Sequence, residues 1–138
     1  MKVKEVMEKH VLIPQNATKK HILNIVKKYK KTKIFIVVDN KKRFIGDIHE
    51  DDLFYMMMPN EYYESIGANL GFDIERKFFA RKAKEIMRRH DVSCNENDEV
   101  IDAALKLASA EVNEMPVLDK KGCVVGVITQ GILLRCMN

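Results

Sequence analysis

Shifted by 80 residues, the 138-residue sequence falls on itself without a gap, and a repeat of this kind constrains the fold more than any single motif in it. Lys4-Glu5-Val6-Met7 meets Lys84-Glu85-Ile86-Met87, His10 meets His90, and Leu12 meets Val92. Further on, Val37-Val38-Asp39 meets Val117-Leu118-Asp119, Lys41 meets Lys121, and Ile45-Gly46-x-Ile48 meets Val125-Gly126-x-Ile128. Leu53 and Met57 then fall on Leu133 and Met137. The matches sit at turns and apolar positions, where a shared fold would constrain them. The organisation expected is a first repeat at 1–58, a connector at 59–82 and a second repeat at 83–138. At roughly 50 residues, neither repeat is large enough for independent stability to be expected.

Each repeat reads as a short strand, a helix, two strands and a closing helix. Helical spacing covers 18–29, with Ile22, Leu23, Ile25 and Val26, and 98–110, with Val100, Ile101, Ala104, Leu105 and Ala108. Asp98-Glu99 favours a helix start through capping and the dipole. Strand-forming runs follow at 34–38 and 44–48, then at 115–118 and 124–128. Asp39-Asn-Lys-Lys and Asp119-Lys-Lys-Gly122 supply the turns between them. Residues 51–57 and 131–137 read as closing helices. Such alternation predicts α/β layers, with the two repeats stacked about a pseudo-twofold axis.

The connector carries Tyr62, Tyr63, Ile66, Leu70, Phe72, Ile74, Phe78 and Phe79, too many large apolar groups for a disordered tether. Gly67 and Gly71 break it into two short helical pieces. It is read as a packed connector, with a lid over a ligand as the alternative.

Composition limits the functions open to the chain. This length excludes a barrel-sized catalytic scaffold. No apolar run approaches the roughly 20 residues of a membrane span, and Met1-Lys-Val-Lys-Glu lacks the apolar core of a secretory signal, so a cytoplasmic protein with no membrane partner is expected. Cys94, Cys123 and Cys136 are odd in number and lack metal-ligand spacing, which argues against a disulfide framework or a zinc knuckle. Charge is unevenly distributed. Residues 1–58 hold 13 basic and 7 acidic groups, whereas residues 92–138 hold 4 and 7. A basic end and an acidic end could orient two copies, or present one face to an anion.

The doubled pattern of apolar strand, Asp, short turn and apolar-apolar-Gly-x-Ile, each with Lys-Glu-hydrophobic-Met upstream, resembles a tandem pair of CBS domains, the cystathionine β-synthase type of repeat. Two such repeats form a Bateman module. The strongest stretch runs from Met115-Pro-Val-Leu-Asp119 to Gly126-Val-Ile-Thr129; Val37-Val-Asp39 to Gly46-Asp-Ile48 is the weaker copy. The resemblance implies a non-catalytic, regulatory module. Its ligand would be an adenosine-containing metabolite (AMP, ADP, ATP or S-adenosylmethionine) in the cleft between repeats, with no obligatory cofactor.

The family's ligand motif places a hydroxyl residue after Gly-x-hydrophobic, for a phosphate, and an Asp three residues later, for the ribose hydroxyls. A helix start favours an anion, and a carboxylate can accept two hydroxyl hydrogens. This chain departs from the motif in both repeats. Gly46-Asp-Ile-His49-Glu-Asp-Asp52 keeps the Asp but puts His49 at the hydroxyl position; Gly126-Val-Ile-Thr129-Gln-Gly-Ile132 keeps the Thr but puts Ile132 at the Asp position. A ribose hydroxyl left unpaired beside Ile132 would cost about 1–3 kcal/mol if buried. The resemblance also puts Leu12, Pro14 and Ile36, with Val92, Cys94 and Pro116, at positions that line adenine pockets. Core packing accounts for these six almost equally, just as a helix cap accounts for Thr129 and the helix dipole for Asp52.

Asp47, Glu50, Asp51 and Asp52 crowd the first site, which is expected to disfavour phosphate and to prefer a neutral or cationic adenosyl group such as S-adenosylmethionine or methylthioadenosine. Thr129 and Gly131 make the second site the better phosphate acceptor. His10 and His90 are read as solvated loop residues. A homodimer is expected through the apolar face of Leu53, Phe54, Met57, Leu133, Leu134 and Met137, alongside an effector protein that the sequence does not name.

Two other functions compete. Lys19, Lys20, Lys27, Lys28, Lys30, Lys31 and Lys33, with Lys41, Lys42 and Arg43 beyond, form a basic patch for nucleic acid, although interleaved aromatics are nearly absent. A purely protein-interaction or dimerisation module with degenerate ligand sites is the other. An enzyme is not expected. No nucleophile–base arrangement, metal cluster or glycine-rich phosphate loop appears, and adjacent Asp51 and Asp52 diverge by about 100° on a helix.

Overall fold

The computed structural model describes residues 1–66 and 72–138, without the side chains of Ile66, Phe72 and Asp73. The expected breaks at Gly67 and Gly71, and Leu70, lie outside the described residues. The chain divides into two compact units: Val11–His90, and a second made of Met1–His10 with Asp91–Asn138.

In the Val11–His90 unit, β1 (Leu12–Pro14) leads into α1 (Lys19–Lys28), then β2 (Ile34–Val38), β3 (Phe44–His49) and α2 (Glu50–Met57). β1 and β2 pair in parallel, which requires a crossover connection, and α1 supplies it. Thr18 starts α1 by accepting the His21 N–H on its hydroxyl. β2 and β3 form a hairpin whose turn is organised by Asp39: one carboxylate oxygen accepts the N–H groups of both Lys41 and Arg43 at 2.9 Å. Phe35, Val37 and Ile48 face the helices and form a core with Ile13, Ile22, Leu53 and Met56. Ile36 and Val38 alternate onto the other face of the sheet.

The connector contributes α3 (Tyr63–Ile66) and α4 (Phe72–Phe79), and α4 packs on α2. Phe78 is fully buried, and its ring lies 5.3 Å from that of Tyr63. Among the described residues the connector is therefore packed. The segment after it, α5 (Ala83–Ile86) and β4 (Arg88–Arg89), completes the unit: the sheet order is β1-β2-β3-β4, with Ala83, Ile86 and Met87 in the core.

The second unit repeats this plan with β5 (Cys94–Asn95), α6 (Val100–Ala110), β6 (Glu114–Leu118), β7 (Val124–Thr129) and α7 (Gln130–Arg135). Its core joins Val3, Cys94, Ala103, Leu107, Met115, Val117, Ile128 and Leu133. Asp119 organises the β6–β7 turn as Asp39 does, through Lys121 and Cys123. Where the first unit has β4, this one has Glu8, whose backbone exchanges hydrogen bonds with Val127. Helix α6 starts two residues later than expected because Asp98 is used elsewhere, its carboxylate accepting the Asn95 N–H at 2.9 Å.

The compact units thus differ from the sequence repeats in one respect: the opening segment of each repeat packs within the unit of the other. The repeated glycines explain how. A Cβ on Gly46 would meet the Arg88 carbonyl oxygen at 2.5 Å and Met87 Sδ at 3.2 Å. One on Gly126 would meet Met7 Sδ at 2.6 Å and the Glu8 carbonyl oxygen at 3.1 Å. Met7 and Met87 are matched residues of the repeat, and each needs the bare backbone that glycine leaves.

The gapless alignment holds for the opening segments and for the hairpins but not between them. Ile13 pairs with Val37, whereas Cys94 pairs with Val117, the residue matched to Val37, so the strand offset there is 81. The second repeat carries one extra residue before β5 and recovers it after α6, where Glu111 closes the helix with a left-handed φ of 55°. Leu12 is therefore equivalent to Ser93, not to Val92.

Candidate functional site

In the first unit, the sheet face turned away from the helices gathers the candidates of β1–β3. Leu12, Ile36 and Asp47 stand in register across the three strands. Ile36 is fully buried, Leu12 is half-buried and Pro14 is exposed at the end of β1. His49 is the last residue of β3 and the N-cap of α2, whose first turn is pinned by a 2.8 Å bond from the Glu50 N–H to the Lys33 carbonyl.

The acidic groups of this site are not bare charges. Asp47 is 1% exposed, with Oδ2 2.8 Å from His90 Nε2 and Oδ1 3.8 Å from His49 Nε2. The His90 ring stands edge-on to Phe44 at 5.1 Å, so His90 is a packed partner of Asp47 and not the solvated loop residue that the sequence suggests. Asp52 is also 1% exposed. Its Oδ1 lies 2.8 Å from Lys77 Nζ, and its Oδ2 lies 3.4 Å from Arg88 Nε and accepts the His49 N–H at 3.4 Å. Burial alone would raise its pKa. The hydrogen bond and charge of Lys77, the charge of Arg88 and the His49 N–H outweigh burial and hold the carboxyl below its ordinary range. Of the four acids expected to crowd this site, only Glu50 and Asp51 are exposed.

In the second unit, Thr129 ends β7 and caps α7, its hydroxyl oxygen accepting the Ile132 N–H at 3.2 Å. The hydroxyl hydrogen remains available to an acceptor. Gln130 anchors to the Asn113 carbonyl as Glu50 does to Lys33. Arg135 folds back along α7 to donate to the Gly131 carbonyl at 2.8 Å, bringing a guanidinium to the first turn. Pro116 is buried in β6 opposite Val127. Ile132 is half-buried against the core.

Cys94 stands on the opposite strand face from the set in the first unit. It belongs to the core, its thiol 3.9 Å from the Pro116 carbonyl, and the positions equivalent to Leu12 and Pro14 are Ser93 and Asn95. A one-residue slip exchanges the two faces of a strand, and the extra residue before β5 makes that slip. Val92, half-buried, lies in the loop before the strand. Burial, then the nearby Asp98, push the Cys94 thiol up to about 11, against the smaller pull of Lys106. At pH 8, iodoacetamide is expected to label exposed Cys123 and to leave Cys94 unmodified until the chain is denatured, as peptide mass spectrometry would read.

Two groupings made on the sequence are only partly kept in space. The lysines at 27–33 precede β2 and those at 41–43 follow it, so a strand of roughly 17 Å separates what looked like one patch, and Arg43 is bound to Asp39 at 2.9 Å. Of the expected apolar face, Leu53 and Leu133 are core residues, while Phe54, Leu134 and Met137 are exposed. Sequence reasoning overlooked Lys77, Arg88, His90 and Arg135 as parts of these sites. Arg135 alone left a local signal, at four residues from Gly131 on one helix.

Comparison with known proteins places this arrangement. The CBS domain family matches residues 3–58 and again 83–138. No curated protein matches the chain. Among solved structures, the CBS domain of a CBS domain containing membrane protein from Sphaerobacter thermophilus superposes with a TM-score of 0.75 at 19% identity, over 100% of this chain and 88% of that one. CBSX2 of Arabidopsis thaliana, in complex with AMP, gives 0.71 at 19% identity over 98% and 95%. The CBS domain pair of protein MJ0100, in complex with 5′-methylthioadenosine and S-adenosyl-L-methionine, gives 0.69 at 20% over 99% and 94%. Among the described residues, no helix is long and apolar enough to cross a membrane.

Proposed function

The chain belongs to the CBS domain family as a tandem pair, and on that premise we propose that it is a regulatory, non-catalytic module that senses an adenosine-containing metabolite. The observation that carries this reading is the doubled strand–cap–helix turn: His49 before α2 and Thr129 before α7 present matched helix starts on a fold shared with pairs that hold AMP, methylthioadenosine and S-adenosylmethionine. AMP, ADP, ATP and S-adenosylmethionine are the candidate ligands, and no obligatory cofactor enters.

The two turns favour different ends of such a ligand. Thr129 offers a hydroxyl hydrogen, α7 has no acid in its first turn, and Arg135 brings a cation to it. Phosphate belongs there. The α2 turn carries exposed Glu50 and Asp51, which repel phosphate and suit a neutral or cationic adenosyl group. Calorimetry on Thr129→Val is expected to show roughly tenfold weaker AMP binding, the loss of about one hydrogen bond to a charged group. Unchanged affinity would remove Thr129 from the site.

The working form is a cytoplasmic homodimer that passes the ligand signal to an effector protein. In the unit of Met1–His10 and Asp91–Asn138, exposed Leu134 and Met137 line a groove of about 500 Å³ with Ala104, Leu107 and Leu133, and Ile101 and Leu105 are exposed on α6. Such an apolar surface calls for a cover, and a second copy supplies one. Light scattering at micromolar concentration is expected to give a dimer for the intact chain and a monomer for Leu134→Glu. A monomeric wild type would contradict this.

A further inference from the structure

Resting on the reading of Asp52 as the ribose carboxylate, we propose that Lys77 is a built-in occupant of the first site and that helix α4 must withdraw before an adenosyl ligand can bind there. The first site is then closed at rest, and its ligand acts by releasing α4.

A ribose can use Asp52 only by bringing its hydroxyls to the carboxylate oxygens, and at 1% exposure no solvent-sized group reaches them. What covers them is identifiable. Lys77 Nζ sits 2.8 Å from Oδ1, on a side chain only 13% exposed, and the next residue of α4, Phe78, is fully buried. Arg88 and the His49 N–H take Oδ2. A carboxylate has lone pairs enough for a ribose as well as one cation, but both oxygens are shut off from solvent and Oδ1 has the Lys77 ammonium against it.

The occupant is held and yet replaceable. An ammonium so little exposed leaves its counter-ion only at a cost, so closure is the resting state. A pair of ribose hydroxyls restores hydrogen bonds to the carboxylate, and Arg88 remains to balance its charge, so a ligand can supply most of what Lys77 gives up. Withdrawal of the helix also breaks the 2.7 Å bond from Arg76 to the Glu85 carbonyl and the packing of Phe78 on Tyr63, so release is a costed step that the ligand must drive. Docked α4 and bound ribose compete for one carboxylate. By linkage, whatever weakens docking tightens binding by the same factor, and apparent affinity falls with the fraction of molecules that are closed.

The test uses the intact chain with 5′-methylthioadenosine and AMP as probes, measuring affinity by calorimetry and hydrogen exchange of the amides at 72–79. Saturating methylthioadenosine is expected to speed exchange across 72–79 in the wild type while β2 and β3 stay protected. Lys77→Met is expected to bind it at least tenfold more tightly; binding by Lys77→Met alone supports closure equally. If methylthioadenosine binds both proteins with one affinity, or slows exchange at 72–79, closure by Lys77 is wrong and the ligand reading stands. If neither probe binds either protein, the ligand reading falls and closure falls with it. Should Lys77→Met not fold, the exchange measurement on the wild type decides alone: faster exchange at 72–79 with ligand supports closure, and slower or unchanged exchange overturns it.

Discussion

Gly46→Ala is expected to destabilise the chain by about 3 kcal/mol, the upper end of what overpacking costs, and to lower the melting temperature by roughly 10 °C. The reason is the identity of the neighbour. An added Cβ would stand 2.5 Å from the Arg88 carbonyl oxygen, a backbone atom of the strand paired to β3 at that point, so relief requires prising β4 from the sheet. Gly126→Ala meets a softer obstacle. Its closest contacts are Sδ and Cγ of Met7, the far end of a flexible side chain, although the Glu8 carbonyl at 3.1 Å limits how far things can relax. About 1–2 kcal/mol is expected there. Urea denaturation of both variants measures the difference. Equal losses would mean that the exchanged segments yield alike, and that the β4 pairing is looser than its geometry.

Lys77→Met is the second large effect, at about 2–3 kcal/mol near neutral pH. Removing one partner of a buried pair generally costs about 3–5 kcal/mol, and Arg88 stays behind to keep part of the balance. Asp52→Asn added to Lys77→Met is expected to restore most of the loss, because the stranded charge goes with it. The sign of the pH dependence follows from the depressed carboxyl. The native state binds fewer protons here than the unfolded chain, so the stabilisation is complete above the ordinary aspartate value of 3.8 and disappears as pH falls through the lower native value. The gap between wild type and Lys77→Met should therefore narrow as pH falls, first where Asp52 of the variant takes up its proton, burial there being less well offset, and then where that of the wild type does. A gap that stayed constant into strong acid would show that the methionine disturbs packing and not the ion pair.

Local chemistry made much of this fold readable. The helical spacing of Ile22, Leu23, Ile25 and Val26 predicts α1 to within a residue at each end, and Asp39 and Asp119 mark two hairpin turns that each organises with its own carboxylate. What stayed hidden was pairing over distance. Nothing near Met7 says that it packs on Gly126, and nothing near Asp52 says that a lysine 25 residues along the chain will take its carboxylate. The face of β5 was hidden for another reason. Apolar character alone did not reveal the extra residue before Cys94, and with a side-chain period of two, one residue changes everything about where a strand residue points. The acids of the first site were over-counted in the same way, since a sequence records charges but not their partners.

The account of the chain as an adenosyl-ligand sensor is tested most directly by calorimetry of the intact protein against AMP, S-adenosylmethionine and 5′-methylthioadenosine. Saturable binding of at least one is expected, with AMP weakened by Thr129→Val and methylthioadenosine strengthened by Lys77→Met. No heat from any of the three, in the wild type or in Lys77→Met, would contradict the account at its centre.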